Sequence, residues 1–223
     1  MYEPRNPNLN GVIVIDKPRG PSSMSMVNLV RRKCHKVKTG HAGTLDPLAR
    51  GILVVGVGRA ATKQLGTIVA KEKEYLATIR LGYTSTTDDN EGQKEKIQDI
   101  TKPLLVHVKN TLKQFKGEID QVPPIYSAIK IKGQEAYKLA RKGKEVKMKS
   151  RKALIKKISL ISYKYPYLKI EVVTGPGVYI RSLARDIGQV LGTGGYLSSL
   201  ERTRVGRFTK NKALKLNQIK KAL

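Results

Sequence analysis

Short apolar runs separated by polar turns mark the first half of the chain. Residues 11–16 (GVIVID) form a β-branched run that is typical of a buried strand, and residues 22–33 begin with two serines that can cap a helix. Residues 52–55 are a second apolar run, whereas residues 73–81 (KEYLATIRL) alternate as a long strand does. The pattern predicts a strand, a turn and a helix, followed by further strands of a central sheet.

The second half mixes helices and strands without strict alternation. Residues 84–92 (TSTTDDNEG) have the composition of an exposed loop. The remaining predicted elements are helices at 102–115, 134–141 (closed by Gly143) and 179–191, and strands at 153–163 and 168–173 joined around Pro166. This order favours the α+β class, with a mixed, largely antiparallel sheet flanked by helices. Because no repeat or long linker interrupts the chain, we expect a single domain over residues 1–223.

The large positive net charge of the chain indicates what kind of molecule it binds. Lys and Arg number 44 against 17 acidic residues, which gives a formal net charge of +27 and a pI near 10.2. Such an excess indicates a polyanionic partner such as nucleic acid. Segment 202–223 holds eight basic residues and no acids, so we expect this basic C-terminal segment to contact phosphates.

Composition also bears on location and on metal binding. No run approaches the roughly 18 to 20 apolar residues that span a bilayer, and the N-terminus is polar, so we expect a cytoplasmic protein without membrane association. The single cysteine, Cys34, and three histidines show no recognised zinc-ligand spacing. We therefore expect no metal site.

One carboxylate is isolated in a basic stretch. Between Asp16 and Glu72 the only acid is Asp46, among eleven Lys or Arg residues and two histidines. It lies in residues 40–51 (GHAGTLDPLARG), where glycines allow another backbone to approach and Pro47 fixes the chain after the acid. The segment could present the carboxylate rigidly to a ligand, or the aspartate could simply cap a turn before proline. The residues alone leave both interpretations open.

A series of motifs, taken in order, resembles the bacterial tRNA pseudouridine-55 synthase family, often called TruB. The resemblance covers roughly residues 10–207 and is strongest across residues 40–51. The other matching motifs are 16–23 (DKPRGPSS), 56–63 (GVGRAATK), 73–75 (KEY), 82–92, 123–128 (PPIYSA) with Gly133 and Tyr137, 179–181 (YIR) and 200–203 (LERT). Many separated motifs in order are more specific than any one of them.

The resemblance implies a pseudouridine synthase fold and the isomerisation of uridine to pseudouridine, most often uridine 55 in the T-loop of transfer RNA. No cofactor is implied. Asp46 would act at the ribose, either attacking C1′ as a nucleophile or removing the C2′ proton to give a glycal. Arg181 matches the arginine that keeps this carboxylate ionised, and Tyr75 matches the aromatic residue that stacks on the flipped uridine.

The same resemblance implies further contacts with RNA. Tyr179 and Leu200 correspond to residues that line the uridine pocket, and His41 to a histidine that contacts the flipped nucleotide. Lys17 would support the active-site loop or bind a phosphate. The implied partner is the T-arm of transfer RNA, bound by a monomer that needs no protein partner.

Two departures from the family pattern affect RNA binding. Residues 174–178 (TGPGV) differ from the family pattern before Tyr179. The resemblance therefore does not specify the contacts of this segment with RNA. Bacterial members commonly continue into a small RNA-binding domain, and we expect this chain to lack a separate one, with its basic C-terminal segment replacing some of that affinity.

Three other interpretations remain. Residues 56–61 (GVGRAA) loosely fit a dinucleotide-binding signature, but the acid that should close the next strand is not in place. A non-catalytic RNA-binding or RNA-folding protein would also explain the charge. A synthase that acts on another RNA would share the same catalytic core.

Overall fold

The computed structural model describes residues 10–131 and 133–218. The strands are β1 (Gly11–Lys17), β2 (Thr39–His41), β3 (Ala49–Val57), β4 (Lys73–Leu81), β5 (Tyr83–Ser85), β6 (Lys94–Lys96), β7 (Gly117–Gln121), β8 (Lys130–Ile131), β9 (Gln134–Glu135), β10 (Arg151–Lys164), β11 (Tyr167–Thr174), β12 (Gly195–Val205) and β13 (Phe208–Thr209). The helices are α1 (Ser23–Lys33), α2 (Arg59–Val69), α3 (Leu105–Gln114), α4 (Ala136–Arg141) and α5 (Ile180–Val190), with a 3-10 turn at Lys210–Lys212. The chain forms two compact units, which we call unit 1 (up to Leu76, and from Leu200 onward) and unit 2 (Ala77–Ser199).

Strand β3 is the centre of unit 1. Strand β1 runs antiparallel to β3 along its whole length, from the pair Gly11 and Val57 to the pair Lys17 and Gly51. On the other side of β3, β12 pairs with its first residues in parallel and β2 pairs with its last residues antiparallel. Eight of the nine residues of β3 are buried, which explains why it reads as a continuous apolar run.

Two hydrophobic clusters cover opposite faces of β1 and β3, because alternate residues of a strand point to opposite sides. The first cluster contains Ile15, Met26, Val27, Val30, Cys34, Leu53, Val55 and Val57. The second contains Val14, Ala42, Ile52, Val54, Leu65 and Val205. Helix α1 supplies part of the first cluster and α2 part of the second. The Ser22 hydroxyl accepts a hydrogen bond from the Ser25 amide at 3.0 Å and caps α1, as its sequence predicts.

Unit 2 is built on the part of β4 from Ala77 onward and on strands β11, β10 and β7, adjacent in that order. Strands β10 and β11 form an antiparallel hairpin that closes at the pair Lys164 and Tyr167, and β7 pairs antiparallel with the start of β10. Helix α5 buries one face through Leu183, Ala184 and Ile187. Two small hairpins, β5–β6 and β8–β9, complete the unit.

The predicted fold class, a mixed sheet with flanking helices, is confirmed, and most predicted elements lie within a few residues of their places. The sequence pattern did not predict helix α2 or the long strand β12. The prediction of an exposed loop at residues 84–92 is wrong in part, because residues 83–85 form a strand and Asp89 is buried. The start of the predicted helix 134–141 is instead the strand β9. The expectation of a single domain stays a prediction.

Two helical glycines should respond in opposite ways to alanine. A Cβ at Gly188 in α5 would lie 2.4 Å from the Gly194 carbonyl carbon, whereas a Cβ at Gly66 in α2 meets nothing within 4 Å. Gly188→Ala should therefore destabilise the fold by about 2 kcal/mol or more, because backbone must move to relieve the clash. Gly66→Ala should stabilise it by roughly 0.5 to 1 kcal/mol. Urea unfolding of both variants checks this, and equal effects of the same sign would contradict it.

Candidate active site

The segment that carries Asp46 is fixed by hydrogen bonds on both sides of the carboxylate. The buried Ser23 hydroxyl donates to the Leu45 carbonyl and accepts from the Leu45 amide, each at 2.8 Å. On the other side, the Gly20 amide donates to the Pro47 carbonyl at 2.8 Å. Asp46 itself is half-buried. The backbone is therefore fixed on both sides of Asp46.

Arg202 fixes the start of the same segment and is almost completely buried. Its Nε donates to the Ile52 carbonyl at 2.7 Å and its Nη2 donates to the Gly43 carbonyl at 3.0 Å. Sequence reasoning placed Arg202 only within a family motif and the basic C-terminal segment. The signal that could have revealed it is its spacing of two from Leu200, since both then lie on one face of a strand.

The pKa of the Tyr75 phenol responds to the charges of both Asp46 and Arg202. Burial raises the pKa of the Tyr75 phenol, and the nearby charge of Asp46 adds to the increase. The charge of Arg202 and its hydrogen bond to the phenol oppose the increase in pKa. Tyr75 therefore remains a protonated phenol at neutral pH, suited to stacking and hydrogen bonding rather than to acting as a base.

Lys73 and His41 lie in the field of the same arginine. Burial, with a contribution from the charge of Arg202, lowers the pKa of Lys73 to about 8. Its Nζ donates to the carbonyls of Val69 and Lys71 at 2.7 and 2.8 Å. Burial and then Arg202 also lower the pKa of His41, so this imidazole is neutral at neutral pH. Within the described residues the buried Nδ1 of His41 has no hydrogen-bond partner.

Lys17 and Leu200, two further residues predicted to contact RNA, are both buried. Lys17 is 0% exposed, and its Nζ donates to the carbonyls of Pro18 and Pro21 at 3.0 and 2.8 Å. Of the two roles expected for Lys17, these contacts favour support of the loop over a phosphate contact. Leu200 is buried and lies opposite Ala49 in the parallel pair of β12 and β3.

Arg181 belongs to unit 2 and lies in the first turn of α5. Its guanidinium donates to the carbonyls of Thr87 and Tyr126 at 3.3 and 2.8 Å, and lies 3.7 Å from an Asp89 carboxylate oxygen. Both side chains are buried, with 7% and 3% of their areas exposed. Sequence reasoning missed Asp89 as a partner because it treated that loop as exposed. The pairing of Arg181 with Asp46 stays a prediction.

The start of α5 is held by a buried glutamine. Gln121 is 0% exposed, accepts from the Tyr179 amide at 2.8 Å and donates to the Tyr179 carbonyl at 3.1 Å. The Arg151 guanidinium lies 4.9 Å from the centre of the Tyr179 ring. Tyr179 and Arg181 are thus positioned together within unit 2.

The basic C-terminal segment is less available to phosphates than its composition suggests. Arg202 is buried, and Arg204 forms ion pairs with Glu72 at 2.6 Å and Glu74 at 3.3 Å. The expectation of phosphate contact is therefore wrong for Arg202. Residues 219–223 of this segment lie outside the described residues. In the part of the chain that the structure describes, no helix is long and apolar enough to cross a membrane.

Comparison with known proteins shows the family. Residues 31–180 match the profile "TruB family pseudouridylate synthase (N terminal domain)", and residues 181–223 match "tRNA pseudouridylate synthase B C-terminal domain". Proteins named tRNA pseudouridine synthase B are 44% identical to the chain in Mycobacterium sp. strain KMS (94% of this chain, 71% of that protein) and in Parabacteroides distasonis (89% and 86%). The chain belongs to the TruB family of pseudouridylate synthases, as its motifs predicted.

Solved structures agree with this assignment. A chain of the Cbf5-Nop10-Gar1 complex is 29% identical, with a TM-score of 0.73, over 93% of this chain. A chain of the archaeal box H/ACA sRNP Nop10-Cbf5 complex is 27% identical, with a TM-score of 0.68, over 94% of this chain. The chain spans 52% of the length of each of these two solved chains. Whether a separate RNA-binding domain is lacking stays a prediction.

Lys73 should make stability rise with pH. The lysine holds its proton up to about pH 8 when folded and to about 10.5 when unfolded. Between these values the unfolded chain binds more protons, so the free energy of unfolding increases as pH rises. Relative to Lys73→Met, we expect the wild type to gain about 2 kcal/mol between pH 7.5 and 9.5.

Urea unfolding at several pH values measures this gain. Cys34 and the tyrosines also titrate in this pH range, but they do so in both proteins. Their effect therefore cancels when the free energy of unfolding of Lys73→Met is subtracted from that of the wild type. Lys63→Met, at an exposed position on α2, is the control and should follow the wild type. A constant difference between wild type and Lys73→Met across the range would contradict the assignment.

Proposed function

We propose that this protein isomerises a uridine of transfer RNA to pseudouridine, with Asp46 as the catalytic carboxylate. The observation that carries the proposal is the fixed Asp46 segment, held by Ser23 at Leu45 and by Gly20 at Pro47. Family membership supports the reaction, and the names of its relatives support transfer RNA as the substrate. The structure and the relatives' names support an enzyme more strongly than a passive RNA-binding protein.

The reaction needs a carboxylate at the ribose. The C1′–N1 bond of uridine breaks, the base rotates, and a C1′–C5 bond forms as the C5 proton is lost and N1 gains a proton. Asp46 would start the sequence either by attacking C1′ or by removing the C2′ proton. Both routes require an ionised carboxylate, and Arg181 is the cation proposed to keep it so.

The neighbours of Asp46 suit binding of a flipped base. The uridine must leave its stack, and an aromatic ring can replace part of the lost stacking energy. The protonated phenol of Tyr75 and the neutral imidazole of His41 are suited to contacting an uncharged base, and Leu200 and Tyr179 are proposed to line its pocket. The T-arm as the binding site, a monomeric state and a cytoplasmic location are part of the same proposal.

Asp46→Asn should separate chemistry from binding. The amide keeps the size of the side chain but cannot attack C1′ or accept a proton, so pseudouridine formation should fall by at least about 10³-fold. Affinity for transfer RNA should stay within about twofold, because most of the binding energy comes from phosphate contacts. Single-turnover assays and filter binding measure the two quantities.

Asp99→Asn is the matched control for this variant. Asp99 is exposed and has a positive φ of 52°, which asparagine tolerates, so this variant loses the same charge at a residue that is not assigned to the site. It should keep wild-type turnover. Equal turnover by wild type and Asp46→Asn would reject the catalytic assignment and favour a non-catalytic RNA-binding protein.

The substrate can be identified by mapping pseudouridines in total RNA from cells with and without this protein. We expect loss confined to uridine 55 in the T-loop of transfer RNA. Restoration by the wild type but not by Asp46→Asn is the control. Loss at ribosomal or other positions with the T-loop unchanged would assign a different RNA.

A further inference from the structure

Arg202 is a buried cation whose hydrogen-bond partners, within the described part of the chain, are neutral groups. It is 1% exposed and is one of the largest fully buried side chains. Within residues 10–131 and 133–218 its guanidinium contacts two carbonyl oxygens and a phenol, and no carboxylate is among its partners. Burying a cation without a counter-ion is strongly unfavourable for the folded state. Stability alone is therefore a poor explanation for an arginine at this position.

The side chain links three separate parts of unit 1. Gly43, three residues before Asp46, and Ile52, in β3, each offer a carbonyl to the guanidinium. Tyr75, in β4, offers its phenol. A planar guanidinium can serve all three because its five N–H groups point in fixed directions. The Asp46 segment is thereby joined to both strands through one side chain.

Tyr75, in β4, lies in the electrostatic field of both Arg202 and Asp46. The charge of Arg202 lowers the pKa of the Tyr75 phenol, whereas the charge of Asp46 raises it. The charge of Arg202 therefore acts next to Asp46, and its hydrogen bonds hold the backbone around Asp46.

The backbone of Arg202 holds the other end of the segment. Arg202 lies opposite Gly51 in the parallel pair of β12 and β3. A Cβ at Gly51, which has a φ of +102°, would lie 2.2 Å from the Arg202 carbonyl oxygen. The approach is possible only because residue 51 is glycine. Arg202 therefore contacts the chain on both sides of Asp46, at Gly43 and at Gly51.

We propose that Arg202 is a positioning residue for the isomerisation: it holds the Asp46 segment at Gly43 and at Gly51 without touching the uridine. The inference rests on the proposed function above. Positioning of this kind affects the chemical step because a displacement of about 1 Å at the reacting group can cost about 10² in rate.

The test is Arg202→Gln, which keeps much of the length but loses the charge and most donors. At saturating transfer RNA we expect kcat to fall by about 10²-fold with KM changed less than about threefold. Leu168→Ala is the control, because Leu168 is fully buried in β11 of unit 2 and its truncation opens a destabilising cavity outside the residues assigned to the site. Below its unfolding transition this control should keep the wild-type kcat.

A titration separates this inference from the proposed function. The charge of Arg202 contributes to the low pKa of Lys73, so Arg202→Gln should raise that pKa above its value of about 8. NMR of lysine labelled at Cε, with Lys73→Met to identify the signal, measures the change without any assay of activity. If the wild type forms no pseudouridine while the Lys73 pKa still rises in Arg202→Gln, the proposed function fails and the placement of Arg202 holds.

The remaining outcomes decide the positioning role. A folded Arg202→Gln with kcat within about threefold of the wild type, or with a loss of kcat no larger than that of Leu168→Ala, would overturn it. If Arg202→Gln does not fold, Arg202→Lys keeps the charge but not the planar fork, and should show the same selective loss of kcat to a smaller degree. Unchanged kcat in Arg202→Lys, or failure of both variants to fold, would make Arg202 a purely structural residue.

Discussion

The two hydrogen bonds between Ser23 and Leu45 hold the residue next to Asp46 to the first turn of α1. One hydroxyl satisfies both backbone groups of Leu45, which would otherwise be buried without partners. Because α1 packs on β1 and β3, the position of Asp46 follows from the hydrophobic core beneath it. A carboxylate fixed in this way needs little reorganisation before it reacts, which is how a preorganised group lowers a barrier.

Unit 2 uses the same device with a different side chain. Gln121 satisfies both backbone groups of Tyr179, two residues before Arg181, as Ser23 does for Leu45. Arg181 is then directed by two carbonyls and by Asp89. In each unit, a buried neutral side chain fixes the backbone close to a charged residue. The charged side chain, Asp46 in unit 1 and Arg181 in unit 2, is not used for that anchoring. A neutral anchor does not disturb the charge balance that the chemistry needs.

The elements that the sequence predicted well are those whose local pattern matches their packing, such as the alternating strand β4 and the capped helix α1. Strand β12 escaped prediction because two of its charged residues contact partners that are distant in the chain. Arg202 bonds to Gly43 and Ile52, and Arg204 pairs with Glu72. Composition cannot distinguish an exposed polar loop from one whose polar groups bond to each other, so the burial of Asp89 was missed. The ordered motifs identified the family, while the anchoring roles of Ser23 and Arg202 required the three-dimensional contacts.

The parallel pairing of β12 with β3 affects when the contacts of the Asp46 segment can form during synthesis. Leu200 pairs with Ala49, so these partners are separated by some 150 residues of sequence. Contacts of such long range form late, because a large loop must close before they bring any gain. On the ribosome, all of Ala77–Ser199 is synthesised before Arg202 can reach Gly43. A nascent chain can therefore build the secondary structure of Ala77–Ser199 while the segment around Asp46 still lacks its hydrogen bond from Arg202.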